Sequence, residues 1–261
     1  MNSSVSALPL STLNPANEAL TLRLPSSLQL KQQLPLSNAL TRQVAAHRQA
    51  VRAILDGEDS RLLVIVGPCS IHDPRSALEY ATHLARLATD VSDEMLLVMR
   101  AYVEKPRTTV GWKGLAYDPH LDGSDDMAGG LTLSRELMRV MLQLGLPIAT
   151  ELLQPMAAGY FDDLLSWVAI GARTTESQIH REMASGLGMP VGFKNGTDGG
   201  VTVAATPCAR PPIPIVISVS TVRGILQSSR PLATRTLTWC CAAAIADRTT
   251  TARASPGCTA T

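Results

Sequence analysis

Short apolar runs alternate with segments of helical periodicity through the middle of the chain. The runs are continuously apolar, which is typical of strands that are covered on both faces. The predicted strands are residues 61–66, 95–101, 146–151, 167–172 and 190–195. The predicted helices are residues 38–56, 75–89, 131–144, 156–166 and 174–187. This alternation predicts a parallel sheet with a helix after each strand.

Capping residues mark the starts of several predicted helices. Asn38 precedes the first helix, and Asp73 stands before a proline at the start of the second. Thr174 or Thr175 is predicted to cap the last helix.

Two parallel architectures fit this pattern. A β/α barrel and an open doubly wound sheet both place helices between successive parallel strands. No Gly-x-Gly-x-x-Gly follows the first strand, which disfavours a dinucleotide-binding sheet. The polar connection of residues 103–130 is longer than ordinary loops, so we expect it to be functional. Residues 1–36 are rich in Ser, Leu and Pro, and they predict an arm that docks on something or stays mobile.

Composition narrows the class of protein. A chain of 261 residues with 45% hydrophobic residues can bury the core of one large α/β domain or of two small ones. The net charge of +1 gives no global reason to expect nucleic acid. No apolar run reaches the roughly 20 residues of a membrane span, and the start lacks a signal peptide, so a cytoplasmic protein is expected. The five cysteines are an odd number and do not predict a disulfide framework.

Reactive or charged residues recur at the predicted carboxyl ends of the strands. In chain order they are Cys69, Arg100, Lys105, Glu151, Arg173 and Lys194. Parallel strands present these ends on one face, where a β/α barrel builds its site. Four cations on that face favour a ligand that carries both a phosphate and a carboxylate. A thiolate beside them would be stabilised and could bind a metal.

Each residue also has an ordinary structural interpretation. Cys69 could be a structural residue, because a cysteine in a loop often packs as a small hydrophobe. Arg100, Lys105 and Arg107 could form a solvated charged loop, and Glu151 could simply pair with an arginine. Lys194 could instead form a Schiff base, as in aldolases on this fold.

The spacing of the histidines does not predict a metal site. His72, His120 and His180 lack a partner at ligand-like separation, and we expect them to be surface or capping residues.

Four long segments resemble one enzyme family. They are GPCSIHDP (67–74), MRAYVEKPRTTVGWKGL (99–115), WVAIGARTTESQIHREMASGL (167–187) and PVGFKNGTDG (190–199). In this order they resemble 3-deoxy-D-arabino-heptulosonate 7-phosphate synthases of the short bacterial type, over residues 38–204. The resemblance implies a (β/α)8 TIM-type barrel, here incomplete at its C-terminal end, with an N-terminal arm. It also implies condensation of phosphoenolpyruvate with D-erythrose 4-phosphate, the first step of the shikimate pathway.

The resemblance assigns roles to the residues of these segments. Those implied to hold phosphoenolpyruvate are Arg100, Lys105, Glu151, Ala172, Arg173 and Lys194. Lys105, Glu151 and Lys194 are implied to be catalytic, with Glu151 near the attacking water. Under this interpretation Lys194 binds an anion and forms no Schiff base.

The second substrate and the metal are implied in the same way. Lys105, Pro106, Arg107 and Thr108 resemble the segment that receives erythrose 4-phosphate. Cys69 resembles one ligand of a divalent metal such as Mn, Fe or Co, which would polarise the aldehyde. The family's other ligands, a His, a Glu and an Asp, have no match after Ala204, so we expect impaired metal binding. Homo-oligomers and an aromatic amino acid inhibitor are further implications.

The composition changes after Ala204. Residues 205–261 contain no Lys, one acidic residue, six Arg and ten Thr. Allowed codons for residues 212–221 and 237–253, read in a shifted frame, give HPHRYFGID and HLVLRGGHRGPNYDSA. The second product contains the family's LRGG and PNYD motifs. We therefore expect residues 205–261 to be an out-of-frame, poorly ordered tail behind the barrel portion of residues 37–204, with little synthase activity in the chain as written. A non-catalytic protein that only binds phosphorylated ligands stays open as an alternative.

Overall fold

The computed structural model describes residues 24–107 and 110–205. In order the elements are α1 (Ser27–Gln33), α2 (Asn38–Leu55), β1 (Leu62–Val66), α3 (Pro74–Asp90), β2 (Met95–Arg100), α4 (Met127–Gln143), β3 (Ile148–Glu151), α5 (Pro155–Phe161), β4 (Trp167–Ile170), α6 (Gln178–Gly186), β5 (Val191–Phe193) and α7 (Thr202–Ala205). All five predicted strands are confirmed. The tail that we predicted from residue 205 lies outside the described residues, except for Ala205.

The five strands form one parallel sheet in the order β1-β2-β3-β4-β5. Each strand pairs with the next one along the chain, so the described part of the sheet has no reversal of strand order. A doubly wound sheet reverses its order at a switch point, whereas a barrel adds strands in sequence. The described elements are therefore an incomplete β/α barrel, and the doubly wound alternative is wrong.

Both faces of the sheet are buried, which explains the continuous apolar runs. On one face of the sheet, the larger hydrophobic cluster joins the strand residues Met99, Ile148 and Val168 to residues of the helices. Val98 and Trp167 pack on the other face in a smaller cluster that α2 joins through its residue Val51. Successive strand residues alternate between the two clusters, as the pleat requires. The parallel carboxyl ends therefore emerge together from a rigid core.

Several predicted helix boundaries are wrong because capping depends on the fold. Ser37, not Asn38, accepts the capping hydrogen bond of α2, whereas Asp73 caps α3 as predicted. Helix α4 begins at Met127 instead of residue 131, because Asp126 accepts from the amide of Gly129. Helix α5 ends at residue 161 instead of 166.

The start of α6 was also predicted too early. Residues 174–177 form a turn, and α6 begins after Ser177. The hydroxyl of Thr175 lies within 2.9 Å of the Gly171 carbonyl oxygen and 2.7 Å of the Lys194 carbonyl oxygen. This threonine therefore links the ends of β4 and β5 and caps no helix.

The described part of the predicted arm contains a docked helix. Ser26 and Gln29 form a reciprocal capping box at the start of α1, and Leu30 is fully buried. The Tyr160 hydroxyl donates to the carbonyl oxygen of Pro25 at 2.8 Å, and Lys31 pairs with Asp162. Residues 24–36 are therefore fixed on the barrel, and the rest of the predicted arm lies outside the described residues. None of the described helices combines the length and the apolarity that crossing a membrane requires.

Candidate active site at the carboxyl ends of the strands

The first two strands bring a thiol and two cations together. Cys69 follows β1, Arg100 is the last residue of β2, and Lys105 lies in the next connection. Arg100 Nη2 donates to the carbonyl oxygen of Cys69 at 3.2 Å, and Lys105 Nζ lies 3.2 Å from Cys69 Sγ. Gly67 permits this approach because a Cβ there would lie 2.5 Å from the Arg100 carbonyl oxygen.

An ion pair joins the ends of β3 and β5. Lys194 Nζ contacts Glu151 Oε2, and both side chains are largely buried. Gly171, directly after β4, leaves space for this carboxylate, because a Cβ at that position would lie 2.5 Å from Glu151 Oε1. The strand between the two partners therefore carries a glycine where any other residue would displace the acid.

The ring of Tyr102 connects the two groups. The Arg100 guanidinium lies 4.1 Å from the ring centroid, and Lys194 Nζ lies 5.2 Å from it. Both distances are within the range of cation–π attraction. We call Cys69, Arg100, Lys105, Glu151 and Lys194 together the carboxyl-end rim.

The rim has an excess of positive charge. The hydrogen bond from Lys105 lowers the pKa of the Cys69 thiol against the opposing effect of burial, and the charges of Lys105, Arg100 and Lys194 lower it further. These three cations therefore act on one small volume. Arg100 is only 7% exposed, and its buried Nε has no hydrogen-bond partner among the residues that the structure describes. Buried donors of this kind need an acceptor, so the rim is suited to an anion.

The other predicted substrate residues lie at the outer edge of the rim. Arg173 is exposed, and its Nη1 is 3.4 Å from the carbonyl oxygen of Pro106. This contact brings the connections after β2 and β4 together. Arg107 is exposed, and Ala172 is half-buried beside Gly171. Thr108 lies outside the described residues.

Sequence reasoning missed the buried acid next to Lys105. Glu104 is 3% exposed and accepts hydrogen bonds from the Tyr117 hydroxyl at 2.9 Å and from the amide of Leu153 at 3.1 Å. Burial raises the pKa of Glu104 to about 7, against the hydrogen bonds that stabilise its charged form. A signal was available, since an acid ends the otherwise apolar run of residues 101–104.

Two of the three histidines lie where the sequence predicted. His72 is exposed, and His120 is exposed beside Asp126. The surface prediction is wrong for His180, which is buried. Its Nε2 is 2.9 Å from the carbonyl oxygen of Leu153, and its Nδ1 contacts Ser177, the N-cap residue of α6.

The described residues provide one candidate metal ligand and no complete set. Within residues 24–107 and 110–205, no three His, Cys, Asp or Glu side chains are grouped so as to hold a metal ion. Within the described residues, the Cys69 sulfur contacts the ammonium group of Lys105. These residues alone do not fit a metal centre.

The geometry does not favour a Schiff-base role for Lys194. Its amino group is engaged by Glu151 and faces the ring of Tyr102. An ammonium group in an ion pair has no lone pair with which to attack a carbonyl carbon. The arrangement is better suited to holding an anion.

One family model matches a large part of the chain. Residues 33–236 match the sequence model described as "DAHP synthetase I family". This match runs past residue 204 and includes part of the compositionally different tail.

Named relatives agree with the family match. A Tyr-sensitive phospho-2-dehydro-3-deoxyheptonate aldolase of Salmonella typhimurium is 60% identical over 176 residues, which are 67% of this chain and 49% of the relative. A Trp-sensitive one of Enterobacter agglomerans is 53% identical over 195 residues, 74% of this chain and 56% of the relative. The solved structure of the aldolase from Francisella tularensis superimposes with a TM-score of 0.68 at 48% identity, covering 70% of this chain and 53% of the other. The chain spans about half the length of the curated relatives it matches.

Proposed function

Because this chain belongs to the DAHP synthetase I family, we propose that its carboxyl-end rim is the substrate site of a 3-deoxy-D-arabino-heptulosonate 7-phosphate synthase. The reaction joins phosphoenolpyruvate to D-erythrose 4-phosphate, adds water and releases inorganic phosphate. It is the first step of the shikimate pathway to chorismate and the aromatic amino acids. The observation that carries the proposal is the convergence of Arg100, Lys105 and Lys194 around the Cys69 thiol.

Phosphoenolpyruvate matches the rim by charge. Its phosphate and carboxylate are adjacent anions, and cations fixed on separate strands can bind both at once. Arg100 offers a buried, unsatisfied donor, and Lys194 offers an ammonium held in place by Glu151 and Tyr102. Because the strands and the ion pair fix these groups before the ligand arrives, little reorganisation accompanies binding.

The chain's own residues would bind and orient the reactants. A bond forms between carbon 3 of phosphoenolpyruvate and the aldehyde carbon of the sugar, water adds at carbon 2, and phosphate leaves. Glu151 is placed to accept a hydrogen bond from that water, and the cations stabilise charge on the departing phosphate. Arg107 and Pro106, at the outer edge of the rim, are proposed to face erythrose 4-phosphate together with Thr108.

A divalent metal is part of the family resemblance, and its identity is not fixed. A thiolate such as that of Cys69 suits transition metals, but the described residues supply no complete ligand set.

Regulation and assembly are proposed from the named relatives and from the family resemblance. The matched proteins carry Tyr-sensitive and Trp-sensitive names, so we propose an aromatic amino acid inhibitor without choosing among them. We also propose a cytoplasmic homo-oligomer, as the family resemblance suggests.

The test measures binding and product formation with the same preparation. The purified 261-residue chain is titrated with phosphoenolpyruvate by calorimetry, with and without Mn²⁺. It is then incubated with both substrates, and the seven-carbon product is quantified by mass spectrometry. We expect saturable binding that Lys194→Met weakens, and little product, because the described residues supply no complete set of metal ligands. Binding with a complete absence of product supports the non-catalytic alternative, robust turnover contradicts the expected loss of activity, and absence of binding contradicts the proposed site.

We further propose that residues 205–261 are translated out of frame. Their composition and the LRGG and PNYD motifs in a shifted frame support this. The family match to residue 236 leaves a divergent tail as the competing explanation. The nucleotide sequence across codons 200–261, together with the peptide masses of the tail, decides. An unbroken reading frame that encodes this tail, confirmed by its peptide masses, contradicts the proposal.

A further inference from the structure

A buried carboxyl group lies at the base of the connection that carries Lys105. Glu104 directly precedes Lys105, and its two oxygens accept from different segments. Oε1 accepts from the Tyr117 hydroxyl at 2.9 Å, and Oε2 accepts from the amide of Leu153 at 3.1 Å. Leu153 is two residues beyond Glu151. One side chain therefore ties the connection after β2 to the connection after β3.

The connection after β2 is folded back on this acid. The amide of Lys105 donates to the carbonyl oxygen of Lys113 at 2.8 Å, and the amide of Ala116 donates to that of Val103 at 3.0 Å. Gly114 has a φ of +117°, and a Cβ there would lie 2.3 Å from the Val103 carbonyl oxygen. The two segments of this fold-back, residues 103–105 and 113–116, lie beside each other at Glu104. The hydrogen bonds of Glu104 therefore help set the position of the Lys105 backbone.

The hydrogen-bonded path continues to a third connection. His180 Nε2 lies 2.9 Å from the carbonyl oxygen of Leu153, and its Nδ1 lies 2.8 Å from the Ser177 hydroxyl at the start of α6. The chain of contacts thus runs from Tyr117 through Glu104 and Leu153 to the connection after β4. It lies behind the residues of the rim.

We propose that Glu104 is a positioning residue that sets Lys105 relative to Glu151, and that it takes up a proton from solvent when a phosphorylated carboxylic acid binds between Arg100, Lys105 and Lys194. This inference rests on the proposed function. It adds a proton-linked residue behind the rim.

The charges around Glu104 explain the direction of the proton transfer. Burial raises the pKa of Glu104 to about 7, the hydrogen bonds from Leu153, Tyr117 and Gln154 lower it, and the charge of Glu151 raises it. The titratable groups that act on it directly are the Tyr117 hydroxyl and the Glu151 carboxylate. Three further groups are linked to it through neighbours: Lys105 is the next residue, Lys194 pairs with Glu151, and His180 contacts the carbonyl oxygen of Leu153. An anion bound at the rim adds negative charge nearby, and that charge favours the protonated form.

Protonation need not break the network. Burial, with further contributions from Glu104, raises the pKa of Tyr117, so this residue stays a neutral hydroxyl. A hydroxyl can donate or accept, so the Tyr117 hydroxyl oxygen can accept a hydrogen bond from the protonated carboxyl group of Glu104. The linkage has a definite sign. Glu104 is partly ionised near pH 7, and a ligand that raises its pKa binds with proton uptake and loses affinity as pH rises through about 7.

Calorimetry tests this with the full chain and phosphoenolpyruvate. Titration at pH 7 in buffers of different ionisation enthalpy gives the number of protons taken up per ligand. We expect the wild-type chain to take up a substantial fraction of a proton more than Glu104→Gln. Protonation of the ligand itself contributes equally to both proteins. Glu182→Gln, which removes an exposed carboxylate on α6, should match the wild type.

A second variant keeps the test decisive if Glu104→Gln does not fold. Tyr117→Phe removes a hydrogen bond that stabilises the ionised carboxyl group, so the pH of maximum proton uptake should move upward. Equal uptake by the wild type and Glu104→Gln, or an unmoved maximum in Tyr117→Phe, overturns the inference and leaves the proposed function intact. Absence of phosphoenolpyruvate binding by the wild type overturns the proposed function, and the inference with it.

Discussion

Two arginines of this chain are almost equally buried and are used in opposite ways. Arg135 on α4 is 0% exposed, and its donors are occupied. Nε donates to the Leu34 carbonyl oxygen at 3.0 Å, Nη1 to the Tyr160 carbonyl oxygen at 2.9 Å, and the guanidinium pairs with both oxygens of Asp163 at 2.8 and 2.7 Å. This arginine joins α4 to the C-cap of α1, to α5 and to the turn that follows α5.

Arg100 at the rim lacks such compensation. It donates to the carbonyl oxygen of Cys69, stacks on Tyr102 and shares its surroundings with Lys105 and Lys194. Its Nε is unsatisfied within the described part of the chain. A buried arginine whose donors are all bonded indicates a structural role, whereas one with an unbonded donor among other cations indicates a place for an anion.

The largest effect on stability is expected at Arg135, whose donors are occupied. Arg135→Met leaves Asp163 and two carbonyl groups without their partner, so the free energy of unfolding should fall by roughly 3 kcal/mol. Arg139→Met is the control on the same helix. Arg139 is half-buried and its buried Nε has no hydrogen-bond partner among the described residues, so its loss should lower stability by clearly less, about 1 kcal/mol at most. Urea unfolding measures both. Equal effects of the two substitutions would contradict the structural role of Arg135.

The same substitution at the rim should act on binding instead. Arg100→Met removes a charge-assisted donor, so the affinity for phosphoenolpyruvate should fall roughly 10- to 100-fold. Stability should change by less than about 1 kcal/mol, because the loss of one contact is offset by relief of repulsion between cations. Calorimetry and urea unfolding provide the two numbers. A stability loss as large as that of Arg135→Met, with unchanged affinity for phosphoenolpyruvate, would contradict the binding role of Arg100.

A glycine beside the rim should be sensitive to one added carbon. Gly171→Ala places a Cβ against Glu151 Oε1, so the carboxylate must move away from Lys194, and stability should fall by roughly 1–2 kcal/mol. Gly186→Ala is the control, because no atom lies within 4 Å of the Cβ that it adds. It should be neutral or stabilising by about 0.5 kcal/mol. Thermal unfolding of the pair tests the space around Glu151.

The smallest effect concerns the thiol at the centre of the rim. Lys105 lowers the pKa of Cys69, so Lys105→Met should move the inflection of its alkylation rate to higher pH. Mass spectrometry of the Cys69 peptide separates it from the other four cysteines. Lys113→Met is a control in the same connection. An unmoved inflection in Lys105→Met removes Lys105 from the rim.

The five strands and the grouping of Arg100, Lys105 and Lys194 could be predicted because they follow from local pattern, whereas that pattern left the order of the strands open between a barrel and a doubly wound sheet. Apolar runs define the strands, and parallel strands place their carboxyl ends on one face. The role of Thr175 and the burial of Glu104 could not be predicted in the same way. Thr175 interacts with the carbonyl oxygen of Lys194, and Glu104 with the amide of Leu153, which are distant in sequence. Those partners exist only after the barrel has folded.

The affinity of the chain for three anions, measured by calorimetry at one pH and one ionic strength, tests whether the carboxyl-end rim is a substrate site. The rim is proposed to bind phosphate and carboxylate together. Phosphoenolpyruvate should therefore bind at one site at least roughly tenfold more tightly than inorganic phosphate or pyruvate, and Arg100→Met should remove most of this preference. Equal affinity for phosphoenolpyruvate and inorganic phosphate, or a preference that Arg100→Met leaves intact, would contradict this proposal.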